Sequence, residues 1–267
     1  MKGFGEKAKP QKELNYLRNN LRYQQILNEA FKFHSQGNIS EAKKYYQYLI
    51  KEGFQNADVF NNYGIILQEF GHYAEAGSYF RQSIKINPED DKSYANLGGV
   101  LQELSQFQDA EFYIRKAIKL NANNSNAHSN LGSILMKRGY LKEAELSLKK
   151  AIELNPNLGD AHFKLAIVLV DSGKLKEAKL LAYKAIKLNP KDHDAYLTLG
   201  IILRDLNELQ EAEVCTRKAI KIKPNVAPCY QNLSLLNYAK GNISEALNNI
   251  KKANEIDPIS LDNKLLL

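Results

Sequence analysis

An all-α solenoid built from seven 34-residue helix-turn-helix repeats is the fold that this sequence predicts. Three observations carry it. Four segments, EAGSYFRQSIKINP (75–88), EAELSLKKAIELNP (143–156), EAKLLAYKAIKLNP (177–190) and EAEVCTRKAIKIKP (211–224), align without gaps at spacings of 68, 34 and 34 residues. Gly64, Gly98, Gly132 and Gly200 share one phase of that period. Placing them at repeat position 8 defines repeats 23–56, 57–90, 91–124, 125–158, 159–192, 193–226 and 227–260. Position 20 is then alanine throughout: Ala42, Ala76, Ala110, Ala144, Ala178, Ala212 and Ala246.

Each repeat reads as two amphipathic helices. Leu97, Leu131, Leu165, Leu199 and Leu233 at position 7, with a leucine at most positions 11, fill the space between them. Small residues at positions 8, 20 and 27 let two helix backbones approach; position 27 is alanine in all but two repeats, where Leu49 and Ser83 stand. Gly37, Gly71, Gly139, Gly173 and Gly241 at position 15 cap the first helix. Pro88, Pro156, Pro190, Pro224 and Pro258 at position 32 end the second, because proline cannot continue a helix interior. Outside the array, residues 1–22 are expected to form a basic N-terminal tail with a short capping helix marked by Leu14, Leu17 and Leu21. Residues 261–267 are expected to form a short C-terminal cap or truncated helix.

The chain is 44% hydrophobic and 25% charged, the balance of a folded protein rather than a disordered one. Its net charge of +7 is concentrated at one end: residues 1–22 hold six bases against two acids, a net +4. The opening MKGFGEKAKPQKEL lacks the apolar run of a secretory signal, so the cytoplasm is the expected compartment. The longest apolar stretch, residues 165–170, is far short of the roughly 20 residues that cross a bilayer.

The glycine, alanines and proline at positions 8, 20, 27 and 32 resemble those of the tetratricopeptide repeat (TPR), and the resemblance covers residues 23–260. Phe54 and Ala122 depart from it where proline is expected. YANLG (94–98) and HSNLG (128–132) are most similar to the arrays of O-linked N-acetylglucosamine transferases and of bacterial TPR–transferase proteins. The resemblance implies a right-handed superhelix whose first helices line a concave groove through positions 2, 5, 6, 9, 12 and 13. It also implies a protein–protein interaction scaffold, not an enzyme, that binds an extended peptide segment in that groove.

On those positions the sequence is informative. Position 6 reads Asn28, Asn62, Asn96, Asn130, Lys164, Thr198 and Asn232. Asparagine is a mediocre helix former, and its amide offers a donor and an acceptor to a peptide backbone of any sequence. This resembles the asparagine ladder of the transferase arrays; the alternative is that these are remnants of a duplicated repeat. Further on, Phe163, Ile167, Val170, Leu197 and Ile201 make an apolar patch edged by Asp160, Asp171, Asp194, Arg204 and Asp205, as a peptide anchor requires. The alternative there is that positions 5 and 9 pack against the adjacent repeat. The candidate peptide-binding residues are thus Asn28, Asn62, Asn96, Asn130, Phe163, Lys164, Ile167, Leu197, Ile201, Arg204 and Asn232.

Other chemistries are weaker. The family's clamp for C-terminal carboxylates fails at Leu27, Phe31 and Asn96 while Asn62 and Lys92 match, so it is rejected. Groove positions carry seven carboxylates (Asp58, Glu69, Glu103, Asp160, Asp171, Asp194, Asp205) against four bases (Lys92, Lys137, Lys164, Arg204). That net −3 repels phosphates, which argues against nucleic acid. His128 and His162 share position 4, a packing slot, and His34, His72 and His193 have no metal-site spacing. Cys215 and Cys229 read as free thiols filling small gaps. No catalytic residue, metal or cofactor is expected, and no membrane partner. Alternatives to the peptide scaffold are a substrate-recruiting arm of a transferase carried on a separate chain, or a self-assembly module, such as a homodimer through the C-terminal face.

Overall fold

A computed structural model describes residues 11–258, with side chains from Asn19 onward. Among the described residues the structure is fourteen helices and no strand: α1 (Gln11–Ser35), α2 (Ile39–Lys51), α3 (Ala57–Glu69), α4 (Tyr73–Ile86), α5 (Asp91–Glu103), α6 (Phe107–Leu120), α7 (Ser125–Lys137), α8 (Leu141–Leu154), α9 (Gly159–Asp171), α10 (Leu175–Leu188), α11 (His193–Asp205), α12 (Leu209–Ile222), α13 (Ala227–Ala239) and α14 (Ile243–Ile256). This is an all-α repeat solenoid of seven helical hairpins. The chain divides into two compact units, Met1–Ala122 and Asn123–Leu267. Within each, every odd-numbered helix packs on the even-numbered helix after it, and that helix packs on the first helix of the next repeat.

One boundary differs from expectation. α1 is continuous for 25 residues, so the anticipated capping helix is the N-terminal extension of the first repeat's own first helix. No glycine or proline lies between Gln11 and Ser35 to interrupt it. Leu21 is 67% exposed on it, whereas the Leu14 and Leu17 side chains, like residues 261–267, lie outside the described residues.

The seven turns that join the two helices of each repeat are chemically alike. Each places position 15 in the left-handed region, and the N–H of position 16 bonds the carbonyl of position 11, as in Asn38–Phe33, Tyr140–Leu135 and Asn242–Asn237. That bond satisfies a carbonyl left open by the helix end. Two repeats accept the conformation without glycine, at Ser105 (φ 59°) and Asn207 (φ 64°).

Position 8 packs under position 24. A methyl group placed at Gly64 would lie 2.7 Å from the Phe80 ring, at Gly98 2.5 Å from Ile114, and at Gly132 2.5 Å from Leu148. In the fifth repeat position 8 is Ala166 and position 24 shrinks to Ala182, both buried. The first repeat breaks this compensation, with Ala30 and the fully buried Tyr46. Successive repeats of the second unit are also tied by ion pairs from position 21: Glu145 to Lys174 at 3.0 Å, Lys179 to Glu208, and Glu213 to Lys240.

Candidate functional site

In the first unit the face of α3 and α5 carries two fates for asparagine. Asn62 is half-buried and makes no side-chain hydrogen bond among the described residues, so its amide is open to a ligand. Asn28, on α1, is exposed. Asn96 instead donates from Nδ2 to Oδ1 of Asn61, 2.9 Å away on the preceding repeat. Asn61, 8% exposed, also lies 3.2 Å from the Ser93 hydroxyl. Ser93 contacts Asp90 and stands 2.8 Å from Ser83 Oγ, which donates to the Ala57 carbonyl at 2.9 Å. Ser83 brings a hydroxyl to the position that alanine usually fills, and the buried polar chain grows from it. Asn61 is therefore a positioning residue for Asn96. A cavity of about 480 Å³ opens on this face, lined by Ile65, Gln68, Glu69, Tyr73, Asn96 and Glu103.

In the second unit, Asn130, Phe163, Ile167, Val170, Thr198 and Ile201 are half-buried on the first helices. Lys164 pairs with Asp160 at 2.8 Å, and Asp160 accepts from Ser129 at 3.0 Å, so this lysine arrives already neutralised. Arg204 is held by Asp205 at 2.8 Å.

Two candidates do not line an open surface. Leu197 is 8% exposed and packs on Ala219 and Cys229, small residues that leave it room. Asn232 is 2% exposed; it accepts from Arg204 Nη1 at 2.6 Å and donates to Thr216 Oγ1 at 2.8 Å. The cause is the size of Thr216, whose counterparts are Phe80, Ile114 and Leu148. The shorter side chain leaves space over Gly200, and a methyl group at Gly200 would lie 3.3 Å from Asn232 Nδ2.

The remaining polar groups are structural in their geometry. His162 is buried and donates from Nε2 to the Pro156 carbonyl at 2.9 Å. Both cysteines are buried free thiols. Burial, helped by Glu211, pushes Cys215 up to about 11, and burial with Asp194 nearby does the same for Cys229. Asp192, His193 and Asp194 bring ligand atoms within 4.8 Å of one another, but Asp192 is spent as the N-cap of α11, accepting from the Asp194 and Ala195 N–H groups.

Tetratricopeptide-repeat models match residues 57–90, 91–124 and 227–260, residues 125–158, and residues 169–234, together well over half of the chain. Curated proteins include no match to it. Among solved structures, it is 26% identical to YrrB, a TPR protein with an unusual peptide-binding site, over 70% of this chain and 96% of that one, at a TM-score of 0.56. It is 28% identical to the MamA protein over 63% of this chain and 92% of that one, at a TM-score of 0.54. A chain of the APC/C hetero-tetramer Cut9–Hcn1 shares the fold alone, at 18% identity and a TM-score of 0.80, over 89% of this chain and 47% of that one. Repeat register, turn chemistry, hairpin packing and these matches agree: the chain belongs to the tetratricopeptide-repeat family.

Proposed function

We propose that this chain is a cytoplasmic, non-catalytic scaffold that holds an extended peptide segment against the face of its first helices. Tetratricopeptide repeats serve in protein–protein interaction, and that coarse role comes with the family. The observation that carries the finer reading is the amide display of the first unit. Asn62 has no side-chain partner among the described residues, and Asn96 is fixed by Asn61 beside a cavity of about 480 Å³. An extended peptide exposes backbone donors and acceptors that an asparagine amide matches with either of its ends. The half-buried Phe163, Ile167 and Ile201 of the second unit supply an apolar anchor surface. YrrB, which is similar to this chain, is described as having a peptide-binding site, and this supports the reading. Nucleic acid is a poor occupant of a surface whose groove positions carry net negative charge. Among the described residues no helix is long and apolar enough to cross a membrane.

Co-purification followed by mass spectrometry identifies a partner segment for the test. Asn62→Ala with Asn96→Ala should then weaken it roughly tenfold, the loss of two hydrogen bonds of about 0.5–1.5 kcal/mol each. Unchanged affinity in a folded variant ends the amide part of the reading. Ile167→Asp should abolish binding; a large fall in melting temperature instead would make Ile167 core and remove the anchor.

A second reading, a homodimer, rests on one observation. Tyr238, Ile243 and Leu247 are 68%, 50% and 43% exposed around an apolar cavity of about 300 Å³ on the last described repeat. Position 21, where Leu247 stands, faces the next repeat elsewhere: a methyl group at Gly77 would touch Val100 and Leu97. Light scattering over a concentration series, with Leu247→Glu beside the parent chain, tests it; a monomer at every concentration removes it.

A further inference from the structure

We infer that the cavity between the second and third repeats is a subsite for an arginine side chain of the bound segment. This deepens the groove reading and rests on it. α3 contributes Ile65, Gln68 and Glu69, Tyr73 opens α4, and α5 contributes Asn96 and Glu103. Among the described residues no lysine, arginine or histidine lines this cavity. Glu69 and Glu103 are both exposed, occupy the same register one repeat apart, and have no ion pair or hydrogen bond among the described residues. Elsewhere the carboxylates that tie repeats together do have partners: Glu145 takes Lys174, Glu208 takes Lys179, and Glu213 takes Lys240. The third acceptor is independent of the glutamates. Asn61 draws the amide nitrogen of Asn96 to itself, which turns the Asn96 oxygen away from Asn61. The cavity therefore collects two carboxylates and an amide oxygen, with no cationic side chain among its described lining residues.

Arginine fits this arrangement better than lysine does. A guanidinium presents several N–H groups in one plane and can engage two carboxylates at once, whereas an ammonium is a compact point charge. The Tyr73 ring supplies an aromatic wall on which that plane can stack, and Ile65 supplies apolar surface for the methylenes of the side chain. A volume of about 480 Å³ is also in the range of organic ligand pockets and larger than one metal ion needs.

The test uses the full chain and small probes. Acetyl-arginine N-methylamide, titrated into ¹⁵N-labelled protein, should shift the amides of residues 65–73 and 96–103 saturably. Its citrulline analogue, the same shape without the charge, should bind at least about tenfold more weakly, the worth of a charge-assisted pair. Glu69→Gln with Glu103→Gln, at exposed helix ends, should keep the parent melting temperature and lose the arginine response. Equal shifts from the two probes, or an undiminished response in the double variant, would overturn the subsite. So would calcium alone producing the larger shifts, because the site would then be a cation site. The groove reading fails separately. An extended octapeptide of serine and glutamine around one arginine should be weakened by Asn62→Ala with Asn96→Ala. If it is weakened but its citrulline version binds equally well, the groove stands and the subsite falls. If the asparagines have no effect on it, the groove reading falls whatever the small probes show.

Discussion

Arg204 donates from Nη1 to Asn232 Oδ1 at 2.6 Å, and this bond separates Asn232 from the other asparagines of its register. Asn232→Ala removes one hydrogen bond from Arg204, which keeps Asp205, and one from Thr216, which keeps the Ala212 carbonyl, and it opens a void over Gly200. It should cost about 2–3 kcal/mol in unfolding free energy. Asn62→Ala removes a side chain with no hydrogen-bond partner among the described residues, and should stay within about 0.5 kcal/mol. Urea titration of the two variants makes the comparison, and equal costs would contradict the placement of Asn232 in the core.

Gly132→Leu should destabilise by about 1–3 kcal/mol, since even its first carbon would meet Leu148 at 2.5 Å. A sharper form uses the Ala166 and Ala182 pair as its template. Gly132→Ala and Leu148→Ala should each destabilise alone, and together cost less than their sum by about 0.5–3 kcal/mol. Additive costs in thermal melts would mean that positions 8 and 24 do not share the same space.

Ser105 holds φ at 59°, where five of the seven turns use glycine. The left-handed conformation costs a residue with a Cβ about 1–2 kcal/mol, partly offset because glycine loses more entropy on folding. Ser105→Gly should therefore raise stability by about 0.5–1 kcal/mol. Asn207→Gly should gain less, because asparagine tolerates this region better. Calorimetric melting of both variants checks the order.

Glu213 is held below the usual carboxylate range by hydrogen bonds from Lys240 and then Arg217. A depressed folded pKa means that the contribution is complete above about pH 4.5 and is lost as pH falls through the folded value. Glu213→Gln should thus narrow the stability difference between about pH 5 and pH 3, with its largest cost near neutrality. A pH series of unfolding midpoints, in which parent and variant fell in parallel, would show that this carboxylate is not a source of acid sensitivity.

The array was legible because its signals are backbone requirements repeated at one period. Glycine at position 15 answers a left-handed turn, alanine at position 20 a close helix contact, and proline at position 32 a helix end. Boundaries within the array follow directly. The first helix starts before the first repeat because a period marks where a pattern recurs, and residues 11–22 contain neither glycine nor proline to stop a helix. Legibility failed where one residue's size decides another's exposure. Asn232 has the same register as Asn62, yet Thr216, sixteen residues earlier, makes the space that draws it inward. Leu197 sinks for the same kind of reason, beside Ala219 and Cys229. Ser83 looked like a lapse from alanine, and only the structure joins its hydroxyl through Ser93 and Asn61 to Asn96.

The ion pairs between repeats of the second unit give the array a parity. At position 21 the sign runs Glu145, Lys179, Glu213, and the partner on the following repeat runs Lys174, Glu208, Lys240. Adjacent seams are therefore written in opposite senses, although the repeats look interchangeable in sequence. Excising residues 159–192 alone would set Glu145 against Glu208, carboxylate to carboxylate. Excising residues 159–226 would return Glu145 to a lysine, Lys240. This half of the chain can shorten or lengthen cleanly only by pairs of repeats, because removing a single repeat sets like charges against each other.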